Sequence, residues 1–359
     1  MQIGKPTVLT CVLLLSAFAA FGQTRRKIII NEDCSGPGGS NMQALLTLIQ
    51  SPQVEVLGIT VVSGDQWLDE EVAHTLRLLE IIGRIDIPVV PGAEFPLVRT
   101  RREAQFWQQR FGKVAYAGAW DDRWWHEASL VPATPDGKPA TKPASEDAPH
   151  FLIRMVHKYP NEVTIYEGGP MTNLALAVGI DPDFPKLAKE LVFMGGGLSP
   201  KSDNPEFLNN PRHEFNFWFD PEAAAIVLRA SWKKIVCTST DVSVKVKMTP
   251  DLVKQVEAAG TPVAHYLAKF AMLSPGADIM WDELAAAAWL DPTIITNSET
   301  RFMSVDIGHG ATYGNTLTWA ENANAAPETQ KVEIQLDVDA QKFYRMFVQL
   351  MTGPTPAHS

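Results

Sequence analysis

The chain alternates short apolar, β-branched runs with segments of helical periodicity, and this alternation limits its possible folds more than any other feature. The runs that we interpret as strands lie at residues 27–30, 54–62, 87–90, 163–166, 191–194 and 234–237. Helix starts are marked by capping residues or by proline, at Asn41, Ser145, Asp220-Pro221 and Thr249-Pro250. The alternation predicts an α/β fold: a mostly parallel, Rossmann-like sheet with helices on both faces.

Polar or glycine-rich segments directly follow the predicted strands. They are Asn31-Glu32-Asp33, Ser63-Gly64-Asp65, Glu167-Gly168-Gly169, Gly195-Gly196-Gly197 and Thr238-Ser239-Thr240-Asp241. Parallel strands end at one edge of a sheet, and ligands bind in the crevice at that edge. We therefore expect several carboxylates to converge on one rim and to form a binding or catalytic site there.

The first residues have the three-part pattern of a secretory signal. Lys5 precedes an uncharged apolar run at 8–21, and a small-residue stretch ends before Gln23. That run is too short to span a hydrocarbon core of ~30 Å. We therefore expect cleavage of residues 1–22 and export to the periplasm or the medium, without a membrane anchor. Residues 23–359 are predicted to form one domain, with an inserted surface segment at 100–148.

Charge and cysteine content exclude two further classes of protein. The chain has 41 acidic against 31 basic residues, a formal net charge of −10, and this argues against nucleic acid as a partner. After cleavage only Cys34 and Cys237 remain, far apart in sequence. Because two distant cysteines do not form a disulfide framework, we expect both to be buried thiols.

Several motifs occur together, in the order in which they occur in one enzyme family. They are KIIINED at 27–33, VEVLGITVV at 54–62, GGPMTNLALA at 168–177, FMGGG at 193–197, EFNFWFDPEA at 214–223 and DELAAA at 282–287. This order resembles that of the inosine-uridine preferring nucleoside hydrolases, over nearly the whole chain after residue 22 except 100–148. The resemblance implies hydrolysis of the N-glycosidic bond of a ribonucleoside to free base and ribose, with Ca²⁺ taking part.

The resemblance assigns the catalytic role to Asp33, as a ligand of calcium and as the base that accepts a proton from water. Asn41, Thr172 and Asp282 match the other metal-binding positions, Thr172 through its main-chain carbonyl. The two later aspartates of the family's acidic motif are here Ser40 and Asn41. The predicted site therefore has two carboxylates instead of three, and calcium affinity follows ligand charge.

Either Glu32 or Asp65 is a further carboxylate that could compensate for the lost aspartates. For the substrate, Glu214 and Asn216 match residues that contact ribose hydroxyls. Asn209, or its neighbour Asn210, lies close to a third such position. Asp65 replaces a common asparagine of the family, and an acid is also found there in the purine-specific branch.

The same branch has a tryptophan immediately before the late metal aspartate, as in Trp281-Asp282 here, where other members have a histidine. An indole can stack on a purine and favour its protonation, and Trp107 is a candidate for the opposite face of the base. The cluster at 120–126, which includes His126, is interpreted either as a lid or as an exposed aromatic contact surface.

Three functions are consistent with this pattern. The first is a calcium-assisted, purine-preferring ribonucleoside hydrolase. The second is an exported nucleoside-binding protein without catalysis, because two acidic metal positions are lost. The third is a hydrolase of another N-ribosyl compound, because the tryptophan-rich insertion would reshape the base pocket. The sequence leaves open whether the chain works as a monomer or as a homo-oligomer.

Overall fold

The computed structural model of the protein describes residues 25–210, 212–271, 278–323 and 328–356, so the predicted signal peptide lies outside the described residues. Within these ranges one sheet contains nine strands. The strands are β1 (Arg26–Glu32), β2 (Val54–Val61), β3 (Val89–Pro91), β4 (Val163–Glu167), β5 (Glu190–Met194), β6 (Ile235–Thr238), β7 (Ile295–Val305), β8 (Thr316–Ala320) and β9 (Gln330–Val338).

The strand order is β3-β2-β1-β4-β5-β6-β9-β7-β8. Every pairing from β3 to β9 is parallel, whereas β7 pairs antiparallel with both β8 and β9. The fold is therefore α/β with a mostly parallel sheet, as predicted. The antiparallel extension was not predicted, because the first half of β7 is polar and exposed and the strand lacks an apolar run.

Helices cover both faces of the sheet. The longer helices are α1 (Ser40–Ile49), α2 (Leu68–Ile81), α3 (Arg101–Phe111), α4 (Ala148–Lys158), α5 (Thr172–Ile180), α9 (Pro221–Arg229), α11 (Pro250–Glu257), α12 (Pro262–Phe270), α13 (Trp281–Leu290) and α14 (Ala340–Thr352). The shorter ones are α6 (Phe184–Leu187), α7 (Pro205–Asn209), α8 (Phe215–Phe219) and α10 (Thr240–Ser243). No described helix is both long and apolar enough to cross a membrane.

The hydrophobic core is divided by the sheet, because side chains alternate along each strand. In β1, Ile28 and Ile30 belong to the cluster under α1, α2 and α13, whereas Ile29 belongs to the cluster under α4, α5 and α9. Cys34 and Cys237 are buried free thiols, as expected.

Two predicted helix starts are each wrong by two residues. Helix α1 begins after Gly39, so Asn41 lies in its first turn and does not cap it. Helix α4 is capped by Asp147, whose side chain accepts a hydrogen bond from the His150 N–H, in place of Ser145. The starts predicted at Asp220 and Thr249 are confirmed by the same kind of side-chain cap.

The segment at 100–148 is more ordered than an irregular excursion. Thr100 and Glu103 form a reciprocal capping box at the start of α3. Trp120 then anchors the segment by stacking on Phe219 of α8, with 4.2 Å between ring centroids. The insertion is thus attached to the body of the protein through buried aromatic side chains.

Candidate active site

A cavity of about 780 Å³ opens at the carboxyl edge of the sheet. Its walls come from the segments after β1, β2, β4 and β5, from the start of α13, and from the inserted segment. The lining residues used below are Asp33, Ser40, Asn41, Asp65, Tyr116, Arg123, Trp124, Glu206, Phe207, Glu214, Phe215, Asn216, Trp281 and Asp282. The predicted convergence of carboxylates on one rim is therefore present.

Asp33 and Asp65 form one hydrogen-bonded group in this cavity. The Asp65 N–H donates to Asp33 Oδ2 at 3.1 Å. The Asn41 amide nitrogen donates to Asp65 Oδ2 at 3.0 Å and also to the main-chain oxygen of Asp33. The Tyr116 hydroxyl, from the inserted segment, donates to Asp65 Oδ1 at 2.7 Å. Both carboxylates are thus held in place by neighbours from different parts of the chain.

Burial and mutual repulsion alter the acidity of these groups. Burial raises the pKa of Asp33 well above its usual range, and the charges of Asp65 and Asp282 add to this effect. The pKa of Asp282 is raised in the same way, by burial and then by Asp65. Burial raises the pKa of Asp65 to about 6, against the hydrogen bonds from Tyr116 and Asn41. A positive charge bound here would relieve the repulsion.

Asp33 and Asp282 suit a hard cation, whereas the side chains of the other two expected ligands are engaged in hydrogen bonds. Asp282 Oδ1 is buried and has no hydrogen-bond partner among the described residues. Asn41 turns its amide nitrogen, not its oxygen, toward the carboxylates. The Thr172 hydroxyl donates to Asp220 Oδ2 at 2.7 Å, away from the cavity lining. No three His, Cys, Asp or Glu side chains of the described chain are grouped to hold a metal ion.

Of the two carboxylates considered as replacements, only Asp65 reaches the cavity. Glu32 is fully buried on the α1 side of the sheet, and neither carboxyl oxygen has a described partner. Burial raises its pKa well above the usual range, with Asp282 and Asp33 as the next causes. Side chains alternate along β1, so the Glu32 side chain lies on the same face of the sheet as Ile28 and Ile30 and is covered by α1.

The two predicted sugar contacts lie side by side. The Glu214 carboxylate caps α8 and accepts hydrogen bonds from the Asn216 and Phe217 N–H groups, at 2.8 and 3.0 Å. The Asn216 amide donates to the Gly168 carbonyl at 2.8 Å. Both side chains are therefore held rigidly where they line the cavity. The Asn209 side chain lies outside what the structure describes.

The aromatic residues expected around the base are separated. Trp281 lines the cavity and contacts Phe207 edge to face, with 6.0 Å between ring centroids. Trp107 does not line it: the indole N–H donates to the Gly310 carbonyl at 2.8 Å, and the ring packs on Phe111. Helix α3 directs Trp107 to another surface, and Trp124 of the same inserted segment lines the cavity instead.

Within the tryptophan-rich cluster at 120–126, Trp124 lines the cavity and Trp120 packs in the core. Trp124 donates its indole N–H to the Gly118 carbonyl at 3.0 Å, whereas Trp120 is buried among aromatic rings. His126 contacts Glu70, with Nε2 3.0 Å from Oε2, and does not line the cavity.

Sequence reasoning missed Glu206 and Phe207, which line the cavity from α7. Their signal was available: Asn204-Pro205-Glu206 has a capping residue, proline at the first helical position and an acid, all typical of a helix start. Tyr116 had no such signal, because its position depends on how the inserted segment folds back.

Fold and site together define an α/β protein with an acidic, aromatic-walled cavity at the carboxyl edge of its sheet. The family model described as "Inosine-uridine preferring nucleoside hydrolase" matches residues 28–345, and the chain belongs to this family.

Similar proteins differ in the substrates that they are named for. A probable uridine nucleosidase 2 of Arabidopsis thaliana is 30% identical over 330 residues, covering 88% of this chain and 94% of that protein. The inosine-uridine preferring nucleoside hydrolase of Leishmania major is 27% identical over 337 residues, covering 91% and 97%. The solved structure of a purine-preferring ribonucleoside hydrolase from Gardnerella vaginalis aligns with a TM-score of 0.71 at 23% identity, covering 92% of this chain and 99% of that one.

Proposed function

We propose that this protein hydrolyses the N-glycosidic bond of ribonucleosides, with a preference for purine bases. Family membership supports the reaction class. The preference rests on one observation: the indole of Trp281 lines the same cavity as the acids and is adjacent in sequence to Asp282. An aromatic face of this size stabilises a planar purine more than a smaller pyrimidine.

In this proposal the acids work at the sugar. Asp33 accepts a proton from the water that attacks the anomeric carbon, since it is the carboxylate that directly follows β1 and lines the cavity. Glu214 and Asn216 line the part of the cavity where ribose hydroxyls would be held. Departure of the base leaves positive charge on the sugar, and the surrounding carboxylates stabilise that charge.

Asp33 and Asp282 are the residues that would hold a cation, with Asp65 close to them. A hard cation such as Ca²⁺ would supply the charge that orients the water and lowers its pKa. The residues themselves position the water and the ribose, and they take up the proton.

A substrate panel tests the proposal. We expect a higher kcat/KM for inosine, adenosine and guanosine than for uridine. Trp281→Ala should lower kcat as well as raise KM on inosine, by roughly 5- to 150-fold for the loss of a stacking contact of about 1–3 kcal/mol. Trp107→Ala is the matched control, because it removes an indole outside the cavity lining and should leave both constants unchanged.

Three outcomes would contradict parts of this proposal. A wild type that prefers uridine rejects the purine preference. Binding of nucleosides without release of base would make the protein a nucleoside-binding protein. If the protein hydrolysed another N-ribosyl compound and no nucleoside, the reaction class would stand and the proposed substrate would be wrong.

A further inference from the structure

Glu206 is an acidic side chain of the cavity that the reaction described above does not use. It lies in α7, where its N–H donates to the side chain of the capping residue Asn204 at 2.9 Å. The next residue, Phe207, is buried and contacts the indole of Trp281. Glu206 and Trp281 line the same cavity, in which the base is proposed to bind.

The surroundings of Glu206 favour its neutral form. The side chain is 12% exposed, and the nearest basic group, His213 Nε2, is 3.8 Å away, beyond hydrogen-bonding distance. Burial, followed by the charge of Arg99, lowers the pKa of His213 to about 3, so His213 brings no positive charge. Burial raises the pKa of Glu206 to about 8, and the carboxylates of Glu214 and Asp65 act in the same direction.

The phenol, guanidinium and imidazole groups near the cavity are already engaged. The Tyr116 hydroxyl donates to Asp65, and burial raises its pKa well above the usual range. Arg123 forms an ion pair with Asp121 at 2.6 Å. His126 contacts Glu70 outside the cavity lining. Glu206, by contrast, makes no side-chain hydrogen bond within the part of the chain that the structure describes.

We propose that Glu206 is the general acid that protonates the leaving nucleobase. This inference rests on the proposed function. As the bond between the anomeric carbon and the base nitrogen breaks, its electron pair stays with the base, and the Glu206 carboxyl donates its proton to a ring nitrogen. Water adds to the anomeric carbon, and Asp33 accepts the proton that this water loses. Asp33 then releases a proton to solvent and Glu206 takes one up, so the sum is nucleoside plus water giving ribose plus neutral base.

The test compares two leaving groups in wild type and in Glu206→Gln, which keeps the shape of the side chain but removes the acid. Inosine requires protonation of its base, whereas p-nitrophenyl β-D-ribofuranoside releases a stable anion and does not. We expect kcat on inosine to fall by roughly 10²- to 10⁴-fold, and turnover of the p-nitrophenyl riboside to remain unchanged. Asp203→Asn, which changes an exposed acid just before α7, is the matched control and should leave both rates unchanged.

The pH profile gives a second readout. In wild type, kcat on inosine should fall as the pH rises through about 8, because the acid form of Glu206 is lost. This alkaline limb should be absent in Glu206→Gln and absent for the p-nitrophenyl riboside. Equal losses on both substrates, or an alkaline limb that persists in Glu206→Gln, would overturn the assignment while leaving the hydrolase function intact. A wild type that cleaves neither substrate would reject the function itself.

Discussion

Asp33 combines low exposure with close negative neighbours. It is 3% exposed, and its side chain accepts a hydrogen bond from the Asp65 N–H. Burying a charge among like charges is costly for folding, so such an arrangement is typical of functional sites, where it adjusts proton affinity. The position of Asp33 therefore favours its role in proton transfer at a cost to the stability of the fold.

Replacement of Asp33 by alanine should therefore separate activity from stability. We expect kcat on inosine to fall by roughly 10²- to 10⁴-fold, because the proposed base is removed. The melting temperature should stay the same or rise, since a buried carboxylate is lost from a repelling group. Steady-state kinetics and thermal unfolding of the same preparation measure both. If the variant kept most of its turnover, another residue would have to be the base.

Asn41 occupies the place where a carboxylate would add a third negative charge. Its amide nitrogen donates to Asp65 and to the main chain of Asp33. Asn41→Asp replaces these donors by an acceptor, so we expect a lower melting temperature in EDTA. The same change should increase Ca²⁺ affinity and the rise in melting temperature on adding Ca²⁺, because affinity follows ligand charge. Calorimetry measures the Ca²⁺ affinity of both proteins, and melting curves with EDTA and with Ca²⁺ measure the change in melting temperature. Equal Ca²⁺ affinities in the two proteins would show that position 41 does not contribute to a metal site.

At the scale of elements, the inserted segment is connected to α2 by a buried set of charged groups. His74 of α2 is 3% exposed, with Nδ1 3.3 Å from Asp136 of the segment and Nε2 3.8 Å from Glu70. His126 of the segment contacts Glu70 from the other side. Burial alone lowers the pKa of His74, but the neighbouring carboxylates of Asp136 and Glu70 outweigh it and raise the pKa above the usual value.

This arrangement predicts a pH-dependent contribution to stability. A histidine whose pKa is higher in the folded state stabilises the fold below its unfolded pKa of about 6.5, and this contribution is lost as the pH rises through the folded value. His74→Gln should therefore lower the free energy of unfolding at pH 6, by on the order of 3 kcal/mol, and by less at pH 9. Denaturant titrations at both pH values measure the difference. His150→Gln, an exposed histidine paired with Asp147, is the control. A loss independent of pH would mean that His74 acts through packing alone.

For the whole molecule, the sequence predicted the elements that have a periodic apolar pattern. It missed the elements and contacts that depend on residues far apart in the chain. Strands β1 to β6 are short and mostly buried, and each is separated from the next by helical segments, so periodicity located them to within a few residues. Their parallel order then predicted which residues meet at the rim. Strand β7 has five consecutive exposed polar residues in its first half, so no apolar pattern marked it. Tyr116 reaches Asp65 across 51 positions, and nothing local in the sequence encodes that contact.

The packing of the inserted segment against α8 constrains how the base specificity of this enzyme can evolve. Trp120 stacks on Phe219 of α8, and the Ala119 N–H donates to the Gly64 carbonyl at 2.9 Å, next to Asp65. Helix α8 is also the helix that Glu214 caps. A mutation that reshapes the entrance to the cavity would therefore shift residues at the sugar as well. Adaptation to a new base should begin with side chains such as Trp124, because changes to the path of this segment would also affect the affinity for ribose.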